Sequence, residues 1–128
     1  MRQLLIGLVM LLIATSPAMA TGAIICVSKQ GASITLQVGN VAVESILDAT
    51  ITDNNSVWST NATQASSISI LQSFFNDEQI LIDFSDNNFE EIFARLRLFR
   101  VFDGEEQAIA GTLQITDVGA WAIVCEGQ

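Results

Sequence analysis

The stretch from Ile109 to Cys125, IAGTLQITDVGAWAIVC, contains two runs in which every second side chain is suited to a protein interior. The first run covers residues 109–115 and the second covers residues 121–125, with Asp, Val and Gly at 117–119 between them. Side chains of a β-strand point alternately to opposite faces, so a period of two indicates a half-buried strand. The stretch therefore predicts two strands joined by a turn.

The same alternation occurs further upstream in the chain. Residues 32–38 and 41–52 each alternate between apolar and polar side chains, with Leu47 expected on the inward side of the second run. Two apolar segments at 68–74 and 79–84 flank a polar cluster and predict a β-hairpin. In total the sequence predicts about eight short strands.

The segment from residue 86 to residue 102 carries two competing patterns. Asn88 and Glu91 have the spacing of a helix N-terminal capping box, which predicts a helical turn over 88–94. The alternation of arginine with apolar residues over 95–102 predicts a strand instead. We therefore expect one short helical turn followed by a strand.

Short strands separated by turn signals are typical of two related architectures. We predict a mainly β, single-domain antiparallel β-sandwich with immunoglobulin-like architecture, and a small closed β-barrel is the alternative. The 108 residues of 21–128 fit one domain.

The first twenty residues have the three parts of a secretory signal peptide. Arg2 precedes the apolar run Leu4 to Ala14, and small residues at Ala18 and Ala20 form a cleavage site. We expect cleavage after Ala20, release of residues 21–128, and a periplasmic or secreted location. No second apolar run reaches the length of about 20 residues that a membrane-spanning helix requires, so we expect no membrane span in the mature chain.

The chain has two cysteines, Cys26 and Cys125, and no histidine. An even pair of cysteines in an exported chain predicts a disulfide. A metal site needs more ligands than two thiolates, and a catalytic thiol would lack an imidazole partner. We therefore predict that the disulfide joins the first strand to the last.

The composition argues against several function classes. The net charge of −9 disfavours binding to nucleic acid, whose phosphates require a basic surface. The absence of histidine and tyrosine removes common general acids and bases, and no serine lies in a nucleophile-elbow pattern. We expect no catalytic activity, no metal and no cofactor.

A cationic and aromatic cluster lies in an otherwise acidic chain. On a strand, Arg95, Arg97 and Phe99 would share one face, and arginine and aromatic side chains are typical anchors of protein interfaces. We therefore predict that these three residues bind a protein partner. The competing interpretation is that the arginines pair across strands with Asp83, Glu90 or Glu91.

An alternative function uses the polar loops. The loops at 53–66 and 85–91 are rich in Asn, Asp and Glu, which supply the oxygen ligands that calcium prefers. Trp58 could stack against a sugar ring in the same region. The sequence thus also permits a calcium- or carbohydrate-binding surface protein.

Overall fold

The structure is a computed structural model that describes residues 21–39, 45–61 and 66–127. The predicted signal peptide with its cleavage site, and residues 41–44 of the predicted strand at 41–52, lie outside the described residues. The described residues form ten strands. They are β1 (Thr21–Val27), β2 (Ser33–Gly39), β3 (Ser45–Thr52), β4 (Val57–Ser59), β5 (Ser66–Ser67), β6 (Ser69–Phe75), β7 (Gln79–Ser85), β8 (Ile92–Asp103), β9 (Glu106–Ile115) and β10 (Gly119–Gly127).

All ten strands belong to one sheet, in the order β5-β4-β3-β2-β1-β10-β9-β8-β7-β6. Every neighbouring pair is antiparallel except β4 and β5, which run parallel. The first strand pairs with the last, so the two halves of the chain meet at the β1–β10 seam. The two edge strands, β5 and β6, are consecutive in the chain and are separated only by Ile68, whose backbone N–H donates to the carbonyl of Ser59 on β4 at 3.1 Å. The sheet is therefore nearly barrel-shaped.

This architecture confirms the prediction of a mainly β domain. It is loosely consistent with the β-sandwich and also fits the barrel that the sequence left as the alternative. The alternation of side chains decides which residues are inside. Apart from Ile68, the buried residues of the core come from β1–β3 and β7–β10 and include Ile24, Ile34, Leu36, Ile51, Ile82, Phe84, Leu96, Leu98, Leu113 and Ile123.

The predicted disulfide is present. Cys26 on β1 and Cys125 on β10 are register partners and are bonded to each other across the seam. Both side chains are buried in the core, and the bond leaves neither sulfur as a free thiol. The bond joins residues 99 positions apart and fixes the first strand to the last.

The predicted helical turn over 88–94 is wrong. Residues 87–91 form turns and bends, and β8 already begins at Ile92. The Oδ1 atom of Asp86 accepts a hydrogen bond from the backbone N–H of Glu90 at 3.1 Å, and Phe89 has a φ of 57°. A left-handed residue interrupts a helix, so the polar side chains close a loop between two strands.

Leu47 was expected inside and lies half outside, with 52% of its surface exposed. The pairing of β2 with β3 shifts between Gln37 and Val38, so that Val38 lies opposite Ile46. The bulge leaves Leu47 without an inward position, because one extra residue on one strand reverses the alternation locally. Ile46 packs against the core in its place.

In the described part of the chain, no helix is long and apolar enough to cross a membrane.

Candidate functional site

The candidate site is the outward side of β8. Arg95, Arg97, Phe99 and Val101 occupy alternate positions of this strand and point away from the core, while Leu96 and Leu98 between them are buried. The structure therefore brings the three predicted site residues onto one face.

Arg97 is held by its neighbours on β7 and β8. Its Nη2 atom donates to Oδ1 of Asp83 at 2.7 Å, and its Nη1 atom donates to the carbonyl oxygens of Leu96 and Ile82 at 2.9 and 3.3 Å. The Arg97 side chain is 38% exposed and the Asp83 side chain 16%. The competing interpretation, a cross-strand ion pair with Asp83, is thus correct for Arg97, and Asp83 offsets much of its charge.

Arg95 differs from Arg97 in its partners. Its Nη1 atom donates to Oε1 of Gln114 on β9 at 3.4 Å. Among the described residues it forms no ion pair with a carboxylate, although Asp83 lies opposite it in the register. Of Arg95 and Arg97, only Arg97 therefore has its charge balanced by a carboxylate among the described residues.

A shallow groove of about 450 Å³ lies beside this ion pair on the outer surface of β6, β7 and β8. Its lining mixes apolar and polar side chains, and Arg97 and Asp83 form one wall. A groove of this kind can take a side chain or a short chain segment of a partner. The lining residues are Gln72, Ser73, Phe74, Leu81, Asp83 and Arg97.

Apolar side chains continue from Phe99 across two further strands. In the register Phe99 lies opposite Ala110 of β9, and Ala110 lies opposite Val124 of β10. Phe99 is 59% exposed, Val101 67% and Val124 65%. We call the outward side of these three strands the β8–β10 face, with the apolar members Phe99, Val101, Ala108, Ala110 and Val124.

Arg100 is a buried arginine that sequence reasoning missed. Its side chain is 6% exposed and lies over the rings of Phe75 and Phe102, at 4.8 and 5.1 Å from their centroids. Its Nη1 atom donates to the carbonyl of Asn76 at 3.0 Å. The alternation of β8 indicated this burial, because residue 100 is an even number of positions from Leu96 and Leu98 and therefore points to the same side of the strand. Arg100 is a structural residue that closes one end of the core.

The polar loops proposed for calcium or carbohydrate use their oxygens locally. The Oδ1 atom of Asp53 accepts backbone N–H bonds from Asn55 and Ser56 at 2.9 and 3.0 Å, which is the usual geometry of an Asx turn. The described residues contain no group of three or more acidic, histidine or cysteine side chains that could hold a metal ion. Residues 62–65 of the first loop lie outside the described residues.

Trp58 is not an exposed platform for a sugar ring. It is partly buried, packs against the core, and its ring centroid lies 5.1 Å from that of Phe93. The contact is tilted at 55°, an arrangement that aromatic pairs favour. The role of Trp58 is to connect β4 with the start of β8.

Comparisons with known proteins give no relative for this chain. No family model, no curated protein and no solved structure matches it.

Proposed function

We propose that the protein is a small exported module without catalytic activity that binds a protein partner, in the periplasm or outside the cell, through the β8–β10 face and the adjoining Arg97. The observation that carries the proposal is the row Phe99–Ala110–Val124, in which exposed apolar side chains are contiguous across three strands. Exposed apolar surface of this kind marks interaction sites in soluble proteins.

The composition of the face supports protein rather than small-molecule binding. Its centre is apolar and carries no charge, and arginines and carboxylates lie at its two ends. An apolar centre with a polar rim is the usual anatomy of a protein interface. Phe99 and Arg97 belong to the residue types that contribute most to binding.

Two features support the exported location. The first twenty residues match a signal peptide. The disulfide between Cys26 and Cys125 is consistent with an oxidising compartment, because such bonds are rare where thiols are kept reduced.

Site-specific photo-crosslinking tests the proposed surface. We would replace Phe99 by benzoylphenylalanine in the exported protein, irradiate the source's envelope and extracellular fractions, and identify the conjugates by mass spectrometry. Phe89 is the matched control, because it is also 59% exposed but lies in the loop before β8. We expect one identified protein to be linked from position 99 and not from position 89.

Two results would overturn the proposal. One is that the protein carrying benzoylphenylalanine at position 99 forms no conjugate on irradiation. The other is the same set of conjugates from both positions, which would indicate random collision. Arg97→Glu is a poorer probe than Phe99, because it would place a second carboxylate beside Asp83 and disturb the strand itself.

A further inference from the structure

We propose that the partner of the β8–β10 face is a second copy of this chain, packed face to face with its strands antiparallel to those of the first. This inference rests on the proposed function, since it names the partner for the same surface. Two properties of the face support it, namely its shape and the placement of its charges, and its size sets the affinity to be expected.

The register arranges the outward side chains of β8 and β9 in rows. Phe99 and Ala110 form the middle row, and Val124 of β10 continues it. Two rows towards one end lie Arg95 and Gln114. Asp103 and Glu106, which are also register partners, lie two rows from the middle row on the opposite side. The face therefore has a basic end and an acidic end.

The shape of the face suits contact with a similar convex surface. The middle strand, β9, presents the small side chains of Ala108, Ala110 and Thr112 along the face. Larger side chains flank them, with Phe99 on one side and Val124 on the other. Where two convex sheets touch, small residues allow close approach along the centre line, and larger residues fill the space that widens on both sides.

The charges favour one orientation of the two copies. In this orientation a two-fold axis lies between the two copies and runs along the row Phe99–Ala110–Val124. Rotation about the axis places each strand opposite the same strand of the second copy and reverses the order of the rows. Arg95 then lies toward Asp103 of the second copy. In the same arrangement Gln114 lies toward Glu106 of the second copy. The opposite orientation would bring the acidic ends together, which is unfavourable.

The single chain also leaves charges that such a contact would offset. Asp103 and Glu106 lie directly opposite each other across the hairpin, and like charges in that position are destabilising. Arg95 forms no ion pair within the described part of the chain. Pairing between copies brings the cation to the carboxylates.

The size of the face predicts a weak dimer. Three strands about 4.8 Å apart and eight residues of about 3.4 Å give a surface of about 14 by 27 Å, or about 400 Å² for each copy. The total of about 800 Å² is below the range of stable complexes and falls among weak, transient ones. We therefore expect dissociation constants of about 10 μM to 1 mM rather than nanomolar values.

Sedimentation velocity of the purified exported protein, over concentrations of about 10 μM to 1 mM, tests the inference. We expect the weight-average sedimentation coefficient to rise from monomer towards dimer. Ala110→Glu places a carboxylate at the centre of the face and should abolish the rise. Val57→Glu on β4 is the matched control, because it adds the same charge at an exposed strand position outside the face.

A charge exchange tests the orientation. Arg95→Asp should weaken dimerisation at least tenfold, because it places two carboxylates together at each end of the interface. The double variant Arg95→Asp with Asp103→Arg restores opposite charges between copies and should recover most of the lost affinity. Recovery requires the antiparallel arrangement, since a parallel arrangement does not bring these two positions together.

The outcomes separate this inference from the proposed function. A monomer at all concentrations, or a dimer that persists in Ala110→Glu, overturns the second copy as the partner. If that monomer is still crosslinked from position 99 to a different protein, the proposed function stands and its partner is another chain. If position 99 crosslinks to nothing, both fail. A dimer that the charge exchange does not restore overturns the antiparallel orientation.

Discussion

Removal of the disulfide provides the sharpest test of how the sheet is closed. The double variant Cys26→Ala with Cys125→Ala removes the bond and leaves two small apolar side chains in the core. The bond closes a loop with a sequence separation of 99. In the chain-entropy model, a loop of about 100 residues contributes about 4.7 kcal/mol by restricting the unfolded chain.

That magnitude is large for a domain of this size. Domains are stable by about 5–15 kcal/mol, so the double variant should remain folded with a small margin or unfold near room temperature. Each kcal/mol corresponds to about 4–8 °C in Tm for a domain of about 100 residues. We therefore expect Tm to fall by about 20 °C or more.

The seam that the bond closes also predicts where the structure will loosen. The register between β1 and β10 extends over Ile24 to Val27, whereas the register between β1 and β2 covers the whole of β1. Without the bond, the β1–β10 seam should open first, and its amides should exchange with solvent faster than those of β8 and β9.

The effect is measured by urea denaturation of three samples, namely the oxidised protein, the double variant and the wild type under reducing agent. The reduced wild type should resemble the double variant, and both should show a larger m-value, because an unfolded chain without a cross-link exposes more surface. A loss of less than about 1 kcal/mol would refute the loop argument, since even the low end of typical disulfide contributions is about 2 kcal/mol.

Two further predictions concern β8 and its neighbours. Gly111→Ala should destabilise the protein by about 1–3 kcal/mol in urea denaturation, because an added Cβ would lie 1.8 Å from the carbonyl oxygen of Arg97; a stability equal to the wild type would contradict this close approach. A double-mutant cycle with Arg97→Ala and Asp83→Ala should give a coupling energy of no more than about 1 kcal/mol, as expected for a partly exposed ion pair; a value above about 2 kcal/mol would show that the pair is far less solvated than its exposure indicates.

Much of the strand pattern could be predicted from the sequence, because alternation reports directly which side of a strand faces the core. The strand at 109–115 follows from this rule, and the hairpin at 68–84 follows from two apolar segments on either side of a polar turn. The cysteines predicted that the first and last strands lie close together, and the structure shows that β1 and β10 are paired neighbours. Alternation does not say how strands are ordered around a sheet, so the choice between a sandwich and a nearly closed sheet required the structure.

The errors have local causes. The spacing of Asn88 and Glu91 matches a capping box, but the same short polar side chains also close turns, and here Asp86 bonds the loop backbone. The prediction that Leu47 points inward is wrong because a periodic sequence pattern does not reveal a β-bulge. In both cases the tertiary pairing of neighbouring strands decided between alternatives that are equal at the level of local sequence.

The candidate site was only partly visible in the sequence. The common face of Arg95, Arg97 and Phe99 follows from their spacing in a strand. The contribution of Val124 to this face could not be predicted from the sequence, because it depends on β9 lying between β8 and β10. Asp83, the ion-pair partner of Arg97, was one of three carboxylates that the sequence allowed. The strand register alone would pair Asp83 with Arg95, so the choice of Arg97 depends on the diagonal reach of its side chain.

The disulfide and the β8–β10 face are linked through β10. Val124 and Cys125 are adjacent on this strand, with Val124 outward on the face and Cys125 inward in the core. If the β1–β10 seam opens, β10 keeps its pairing with β9 but loses its neighbour on the other side, and Val124 is the member of the face nearest to the opening. Phe99, Val101 and Ala110 lie on β8 and β9, which pair continuously from Ala94 to Asp103 of β8. Under the proposed function, reduction should therefore weaken binding through Val124 before it affects the rest of the face, and the intact disulfide would maintain the complete surface.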